Sequence, residues 1–477
     1  MAPSISPVQT SVVLPAATTV VVIGGGIIGL TAALSLAERG IPVTVLEKGR
    51  IAGEQSSRNL GWIRKMGRAK PDLPLSIAAE KLWGTMSQRL NADVGYRQTG
   101  ILYTASSASE MASHQEWLDS VADASLDSRL VTGREIADLS PGCTVDWAGG
   151  IYTASDGRAE PTLASSAIAR AAIAKGVIIV ENCAVRALSM SAGKVSGVVT
   201  ERGEVRCDNV ILSGGMWSRR FLATLGVQLL TLPVVASVLR TAPLTIEGMT
   251  EVAVGTPDIS FRKHQDGGYI ITNRGAFMVP IVPDSLLIGH HYLSPLRSQW
   301  KNMNLSLGRE FMTELALSRR SSNEGTSAFE QRRTIDPTVN HGLNLAALRT
   351  LTEAWPAFKK ATIELEWAGM IDVTPDGLPV ISPVDKIPGL TLASGFSGHG
   401  FGTSPAAGQL VADLVTGDTP IVDPPPYHLK APAKLIKPGN QEYISNKAPP
   451  RTPKLQHRRG YFPSKIASPS LIQSLEQ

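Results

Sequence analysis

A glycine-rich segment near the amino terminus is the part of the sequence whose residue types and spacing point most directly to chemistry. The segment GGGIIG at positions 24–29 matches the spacing GxGxxG. Gly24 would allow a tight turn, Gly26 would let the backbone approach a pyrophosphate, and Gly29 would allow a helix to pack closely on a strand. The N–H groups at the start of that helix could then bind phosphate oxygens. The segment therefore predicts a dinucleotide-binding turn.

An acidic residue follows this turn at a suitable distance. Glu47 stands eighteen positions after Gly29, and its carboxylate would accept hydrogen bonds from an adenosine ribose. A glycine-rich turn alone is a weak signal, but this one lies directly after a strand-like run and directly before a helical pattern. The combination favours a dinucleotide cofactor and leaves NAD and FAD both open.

The elements that would position these residues can be read from run length and period. The β-branched run 19–23 and the run 43–46 indicate two strands, and the spacing of apolar residues over 27–39 indicates a helix between them. Residues 177–215 alternate apolar and polar positions with Gly and Asn breaks, which is typical of a meander; we expect it to close with a buried strand at Asn209–Leu212. One βαβ unit and one meander are predicted.

A second, sheet-rich unit is indicated further along the chain. Residues 259–291 have an antiparallel pattern, in which Asp266-Gly267-Gly268 is a hairpin signal between two strand-like runs. If Asp266 and Gly267 form the loop, His264 faces Tyr269 and Arg262 faces Ile271.

Composition limits the classes of protein that the chain could represent. A length of 477 residues with 43% apolar content allows two or three globular domains. The three cysteines have no CxxC spacing, so we expect neither a disulfide framework nor a metal site. The whole chain has a net charge of +5. The Pro-rich tail from Pro424 onward contains nine Lys or Arg residues and two Glu residues, so it carries most of the excess positive charge. Because the body is nearly neutral, we expect no nucleic-acid partner.

No targeting signal is recognisable. The first eighteen residues have no basic start followed by an apolar run, and no stretch reaches the length needed to span a bilayer. We expect a cytoplasmic protein without a transmembrane segment, and peripheral contact with the inner face of a membrane stays open. The tail 424–477 has few large apolar residues, so we expect it to be disordered.

Three separated blocks resemble the D-amino-acid oxidase/dehydrogenase family of flavoproteins, which also includes sarcosine and glycine oxidases. The first block continues from the glycine turn through residues 54–62, the second is NVILSGGMWS at 209–218, and the third combines residues 367–379 with SGFSGHGFG at 394–402. The resemblance extends from Thr19 to about Asp418. It implies FAD as the cofactor.

The resemblance also implies which residues contact the cofactor. They belong to the glycine turn, to the segment after the second strand, and to the later blocks: Gly24, Gly26, Ile27, Ile28, Gly29, Glu47, Lys48, Ser56, Ser57, Arg58, Asn59, Leu60, Val185, Ser213, Gly214, Trp217, Gly369, Gly398, His399, Gly400, Phe401 and Gly402. Gly369 stands where sarcosine oxidases carry a cysteine that bonds to the flavin. The FAD is therefore expected to be non-covalent.

The same resemblance places a hairpin of the substrate domain over the flavin. An arginine fork suits a substrate carboxylate because it binds both oxygens. We expect Arg262 or Arg274 to anchor that carboxylate and Tyr269 to orient the substrate. Solvated strand residues are the competing interpretation of the same pattern.

These inferences combine into an α/β fold with two domains. A discontinuous Rossmann-type FAD-binding domain is expected from 1–75, 150–230 and 345–420. An α+β substrate domain with a largely antiparallel sheet is expected from 76–149 and 231–344.

The favoured function is FAD-dependent oxidative deamination of a D-amino acid by hydride transfer to flavin N5. Electrons would pass to a quinone, a carrier or oxygen. Two alternatives stay open, namely a secondary-amine oxidase acting on sarcosine or an opine, and a flavin-bearing non-catalytic subunit of a complex. The sequence does not decide the substrate or the oligomeric state.

Overall fold

The computed structural model describes residues 2–299, 303–317 and 325–430. Within these ranges the chain forms two large sheets and two small ones. The strands are β1 (Val20–Ile23), β2 (Val43–Leu46), β3 (Trp62–Ile63), β4 (Ile101–Ala105), β5 (Ser128–Val131), β6 (Gly149–Thr153), β7 (Gly157–Arg158), β8 (Ile178–Val180), β9 (Val185–Ser191), β10 (Lys194–Thr200), β11 (Gly203–Arg206), β12 (Asn209–Leu212), β13 (Leu232–Thr241), β14 (Ala253–Gly255), β15 (Ile259–Lys263), β16 (Tyr269–Asn273), β17 (Phe277–Pro280), β18 (Met303–Ser306), β19 (Ile363–Val373), β20 (Val380–Pro383) and β21 (Leu390–Ser394).

Helices pack against both large sheets. None of those within the described ranges combines the length and apolar character that a bilayer span requires. The α-helices are α1 (Ile27–Ala37), α2 (Gln55–Arg58), α3 (Leu73–Leu90), α4 (Ala108–Ser120), α5 (Gly133–Leu139), α6 (Pro161–Ala174), α7 (Met216–Thr224), α8 (Pro283–Ile288), α9 (Leu293–Gln299), α10 (Arg309–Ala316), α11 (Ala328–Gln331), α12 (His341–Ala354) and α13 (Gly400–Thr416).

The six-stranded sheet has the order β20-β21-β12-β1-β2-β8 and carries the glycine turn at the end of β1. Its pairings are parallel except for β20, which is antiparallel to β21 at the edge. Val20 and Val22 belong to one apolar cluster and Val21 to another, so both faces are covered, as is usual for a parallel sheet. The predicted βαβ unit and Rossmann-type fold are confirmed.

The predicted meander is also confirmed. Strands β9, β10 and β11 form an antiparallel three-stranded sheet. The chain then enters the six-stranded sheet as β12, which pairs with β1 in parallel register from Val20↔Asn209 to Ile23↔Leu212. This pairing brings the second small-residue segment, after Leu212, beside the glycine turn.

The larger sheet has the order β18-β17-β13-β16-β15-β14-β4-β6-β5, and β19 pairs with β13. It is largely antiparallel, as expected, and only the β14–β4 and β17–β18 pairings within it are parallel. Buried residues of β15 and β16 pack against α12 and the segment after it, where Trp355 and Phe358 are buried. This core fixes one face of the predicted hairpin.

The register of that hairpin differs from the expectation. Arg262 pairs with Ile270 and Lys263 pairs with Tyr269, so the predicted pairing of Arg262 with Ile271 is wrong. The loop is longer than two residues, because His264 N–H donates to Gly268 C=O at 2.8 Å. One residue of slip moves Tyr269 to the opposite face from Arg262.

The boundaries of the two predicted domains differ from the sheets at two strands. Most of β6 falls in the predicted FAD-binding segment 150–230, but β6 pairs with β4 and β5 in the larger sheet. Residues 345–420 were expected in the FAD-binding domain, but β19 crosses into the larger sheet, where it pairs with β13 along its whole length. By their contacts, the described residues all fall within one compact unit. The division into two domains stays a prediction.

The start of the predicted disordered tail is ordered. Tyr427 is buried, and its hydroxyl donates to Pro71 C=O at 3.0 Å. Leu429 N–H donates to Ser382 Oγ at 3.0 Å. The expectation is therefore wrong for 424–430, because one large aromatic ring has a place in the core. The remainder of the tail, 431–477, lies outside the described residues.

Candidate active site

A cavity of about 370 Å³ connects the carboxyl ends of β1, β2 and β12 with the face of the larger sheet. Ile23, Leu46 and Leu212 line it where the parallel strands end, and Val238 and Thr272 line it from the larger sheet. The carboxyl edge of a parallel sheet is the usual place for a cofactor.

Most of the predicted site residues line this cavity, whereas Gly29, Ser57, Arg262 and Tyr269 do not. Those that do are Gly24, Gly26, Ile27, Ile28, Glu47, Lys48, Ser56, Arg58, Asn59, Leu60, Val185, Ser213, Gly214, Trp217, Arg274, Gly369, Gly398, His399, Gly400, Phe401 and Gly402.

The glycine turn has the geometry that its spacing predicts. Gly24 has φ +110°, and a methyl group built on it would lie 2.5 Å from Ser213 C=O. A methyl group on Gly29 would lie 2.2 Å from Gly24 C=O, so Gly29 serves the packing of α1 on the sheet. On Gly26 it would lie 3.2 Å from Ser56 Oγ and otherwise face open space among the described residues. Gly26 is thus the position where a ligand can approach the backbone.

Glu47 is held in place by the turn itself. Its carboxylate accepts the Gly25 N–H at 2.8 Å and the Gly49 N–H at 2.7 Å. Burial raises the pKa of Glu47, although Lys48 and these two N–H groups act in the opposite direction. A carboxylate has about four acceptor positions, so it retains capacity for the hydroxyls of a ribose.

Two cations after β2 organise the wall of the cavity. Lys48 Nζ lies 3.1 Å from Glu54 Oε1 and 4.3 Å from the centre of the Trp217 ring. The buried Arg58 guanidinium donates to Asp336 at 2.7 Å and to Ala368 C=O at 2.9 Å. Both side chains are therefore engaged within the protein, which favours a supporting role.

The third block forms a second helix entrance at the cavity. Ser397 and Gly398 have φ of +51° and +82°, and α13 begins two residues later with His399 as its N-cap. Asp372, which the sequence interpretation did not single out as a site residue, accepts the Gly395 N–H at 2.9 Å. Burial raises the pKa of Asp372 to about 6. Because helix N-termini favour negative charge, α1 and α13 give this cavity two such ends.

One end of the cavity is lined by Arg64, Arg68, Tyr103, Arg274 and His399, and we call it the substrate end. The Arg274 guanidinium carbon lies 4.5 Å from the centre of the Tyr103 ring, and that of Arg64 lies 5.8 Å from it. Burial, together with Arg68 and Arg64, lowers the pKa of His399 well below its usual value. At neutral pH the imidazole is uncharged, and the arginines are the cations of this end.

Arg64, Arg68 and Tyr103 were missed by the sequence interpretation. Arg64 and Arg68 follow the predicted segment 56–60 within a few residues, and Arg68 Nε donates to Arg64 C=O at 3.3 Å. Tyr103 comes from β4, which joins the hairpin through the parallel pairing with β14. This pairing joins strands that are distant in the sequence, so no local sequence pattern predicts it.

Arg262 does not reach the cavity. Its Nη1 and Nη2 lie 2.7 Å and 2.8 Å from the two carboxylate oxygens of Glu160, and its Nε donates to Leu60 C=O. The side chain is fully buried. Because both Nη groups of Arg262 already bind one carboxylate, they cannot also bind a substrate carboxylate. The expectation that Arg262 anchors the substrate is therefore wrong.

Tyr269 is also removed from the site. It is buried in the core behind the sheet, where its ring meets Phe358 edge-on with the ring centres 4.7 Å apart. The slip in hairpin register is the cause, because it turns Tyr269 towards α12 rather than towards the cavity. Of the three residues predicted for substrate binding, Arg274 alone lines the cavity.

The lining fits an FAD. The open space beside Gly26 suits a pyrophosphate, Glu47 suits a ribose, and the N-terminus of α13 suits the N1–C2=O edge of a reduced flavin. None of the three cysteines, all of which lie in the described ranges, lines the cavity. Gly369 occupies the wall, 3.3 Å from Arg58 Cβ when a methyl group is built on it. Non-covalent attachment stays a prediction.

Comparison with protein families gives a match over most of the chain. A family model, DAO, described as FAD dependent oxidoreductase, matches residues 19–414. Glycine oxidase from Pseudomonas putida is 27% identical over 426 residues, which cover 86% of this chain and 97% of that protein. Sarcosine oxidase subunit beta from Rhizobium meliloti is 26% identical over 414 residues, which cover 84% of this chain and 85% of that protein.

Comparison with solved structures adds a similar neighbour. The structure of L-amino acid deaminase from Proteus myxofaciens in complex with anthranilate superposes with a TM-score of 0.86. It is 33% identical, and the match covers 90% of this chain and 96% of that one.

Proposed function

The chain belongs to the DAO family of FAD-dependent oxidoreductases and is an enzyme of amine or amino acid oxidation, and from this premise we propose that it deaminates an α-amino acid whose carboxylate is bound by Arg274. FAD is its cofactor. The observation that carries the proposal is the position of Arg274, a guanidinium in the wall of the cavity with no carboxylate of the described residues within 4.0 Å.

The contacts of Arg274 fix its guanidinium and leave some of its N–H groups available to a ligand. Its Nη1 donates to Thr256 C=O at 3.1 Å, and its guanidinium lies on the Tyr103 ring. Burial lowers the pKa of Arg274, yet an arginine stays protonated at neutral pH. A substrate carboxylate would supply the missing counter-charge and accept two parallel hydrogen bonds.

The reaction needs orientation more than it needs acid or base. The α-carbon loses a hydride and the amine loses a proton, which makes an imine, and water then gives a keto acid and ammonia. When bound, FAD accepts the two electrons. A quinone, a carrier or oxygen would be the final acceptor of these electrons. The neutral His399 adds no positive charge that would oppose the positive charge developing on the substrate as the hydride leaves.

The configuration of the substrate is a finer point of the proposal. The sequence resemblance favours a D-amino acid, but the solved structure with 33% identity is that of an L-amino acid deaminase. We therefore take an L-amino acid as the first candidate and keep the D-amino acid as the second. Two further alternatives follow from the names of relatives. Glycine oxidase and sarcosine oxidase subunit beta suggest a small amine as the substrate, and the latter also suggests that the chain is one subunit of a larger enzyme.

An anaerobic screen tests the proposal. The purified yellow protein is mixed with L-amino acids, D-amino acids and N-methyl amines, and bleaching of the visible flavin band is followed. We expect bleaching by one enantiomer of an α-amino acid and accumulation of the keto acid. Bleaching by N-methyl amines alone would replace the proposal with secondary-amine oxidation. Stable copurification with a partner and no bleaching would favour a subunit role.

A further inference from the structure

The substrate end carries more positive charge than a single carboxylate requires. Arg64, Arg68 and Arg274 line it, and the described residues that define this end include no Asp or Glu. Since a monocarboxylic amino acid needs one guanidinium, the other cations of this end call for an explanation.

Two of the three arginines lack an ionic partner in the described structure. No carboxylate lies within 4.0 Å of Arg64 or Arg274, whereas Arg68 Nη1 lies 3.4 Å from Asp72 Oδ2. Arg64 donates to Met66 C=O, and its Nη2 lies 3.4 Å from His399 Nε2. The guanidinium carbons of Arg64 and Arg274 lie 5.8 Å and 4.5 Å from the centre of the same Tyr103 ring, so the two charges are neighbours.

Two acidic residues near this end form no ion pair with its arginines. Asp156 is buried and accepts the N–H groups of Lys65 and Met66 at 2.8 Å and 3.2 Å, with Lys65 Nζ at 3.9 Å. Asp258 is exposed to solvent and contacts Arg274 through its backbone, at 2.7 Å. Within the described residues no carboxylate therefore forms an ion pair with Arg64 or Arg274, and Asp156 and Asp258 act on these charges only from beyond 4.0 Å.

The arginines also act on one another. Burial and then Arg64 lower the pKa of Arg68, Asp72 offsets part of the effect, and the pKa is about 10 as a result. Arg64 likewise contributes to the lowered pKa of Arg274, after burial. Like charges brought together out of water cost free energy unless a counter-charge arrives. A ligand with two negative groups would supply that counter-charge.

We propose that the substrate carries two carboxylates, of which Arg274 binds the one beside the amine and Arg64 binds the second. This inference rests on the proposed function. The second carboxylate has two chemical sources. It belongs either to the side chain of an acidic α-amino acid, such as glutamate, or to a carboxyalkyl group on the amine nitrogen.

Binding of unreactive analogues tests the inference on the wild-type holoenzyme. Glutarate and its monoamide, glutaramate, have nearly the same shape and differ in one charge. The shift of the visible flavin spectrum gives a Kd for each. We expect glutarate to bind at least about tenfold more tightly, which is about 1.4 kcal/mol. Equal Kd values would overturn the inference.

Substrate preference gives a second test, which also separates the two sources. Glutamate and glutamine of both configurations are compared by kcat/KM, together with N-(carboxymethyl)alanine. A preference for glutamate over glutamine supports a side-chain carboxylate. Turnover of N-(carboxymethyl)alanine alone supports the carboxyalkyl source and removes the proposed primary-amine function. Better turnover of glutamine than glutamate overturns the inference and leaves the proposed function intact.

A matched pair of variants assigns the preference to Arg64. Arg64→Gln should lower the glutamate-to-glutamine ratio of kcat/KM at least about tenfold, because the second carboxylate loses its partner. Arg129→Gln removes an exposed arginine on β5 that pairs with Glu135, and it should keep the wild-type ratio. An unchanged ratio in Arg64→Gln would contradict the assignment. If Arg64→Gln does not fold, the glutarate comparison still decides the inference.

Discussion

Arg262 and Glu160 form a buried ion pair with two hydrogen bonds, of 2.7 Å and 2.8 Å, between the hairpin and the start of α6. Burial opposes the charge on Glu160, but Arg262 and its neighbours overcome this effect and hold the pKa of Glu160 below its usual value. The pair also supports the cavity wall, because Arg262 donates to Leu60 C=O.

Removal of one partner should therefore be costly. We expect Arg262→Ala to lower the free energy of unfolding by about 3–5 kcal/mol, since it leaves a buried carboxylate without its cation. Unfolding in urea, followed by tryptophan fluorescence, measures the change. The exposed Arg129 is the matched control, and Arg129→Ala should shift the midpoint far less. Equal shifts would show that the buried ion pair contributes no more to stability than the exposed one.

The glycine turn gives a prediction about cofactor retention. Gly26→Val should abolish FAD binding while the apoprotein stays folded, because the new side chain requires only a small shift of the Ser56 hydroxyl but occupies the space needed by the pyrophosphate. The ratio of flavin to protein absorbance measures retention. Gly84→Val, at an exposed glycine of α3 with open space around it, is the control. Wild-type retention in Gly26→Val would mean that this turn does not hold the dinucleotide.

Asp372 gives a pH-dependent prediction. Its pKa is raised to about 6 by burial, so the folded state binds a proton more tightly than the unfolded chain, and stability from this group falls as pH rises from about 4 to about 6. Asp372→Asn should stabilise the protein by roughly 2–3 kcal/mol at about pH 7.5 and by roughly 1 kcal/mol or less at about pH 4.5. Urea unfolding at both pH values measures the difference. A gain that is the same at both would contradict the assignment, and the exposed Asp385→Asn is the control.

Tyr427 gives a prediction about where the chain can be shortened. A chain that ends at residue 423 loses the buried Tyr427 ring and should lose about 3–5 kcal/mol of stability, as does Tyr427→Ala. Tyr427→Phe keeps the ring, loses the bond to Pro71 and should cost about 1 kcal/mol. A chain that ends at Lys430 should keep its FAD and turnover. Thermal unfolding ranks the two shortened chains, Tyr427→Ala and Tyr427→Phe by stability. Equal stability of the chains ending at 423 and 430 would contradict the role of Tyr427.

The parts of the candidate site whose geometry agrees with the expectation depend on local sequence. A turn between a strand and a helix, with glycines at fixed positions, constrains its own backbone, so the positions of Gly24, Gly26 and Gly29 follow from their spacing. Glu47 follows because it ends the strand next to β1. These features need no knowledge of distant parts of the chain.

The parts that were wrong or missed depend on register and on distant pairing. A hairpin loop longer than expected moved Tyr269 to the other face, and Glu160, about a hundred residues from Arg262, captured its guanidinium. Tyr103 reaches Arg274 only because β4 and β14 pair. Tyr427 packs beside Pro71, and no sequence pattern in the tail predicts this contact.

Flavin reduction in variants of Arg274 tests the central claim most directly. The rate of anaerobic bleaching by the best substrate is measured in wild type, Arg274→Ala and Arg274→Lys, with Arg129→Gln as control. We expect Arg274→Ala to lose about 2–4 kcal/mol of transition-state binding, or about thirty- to a thousandfold in kcat/KM, with FAD retained. Arg274→Lys should recover part of the loss, because a point charge cannot make two parallel hydrogen bonds. Wild-type rates in Arg274→Ala would contradict the assignment of the carboxylate to Arg274.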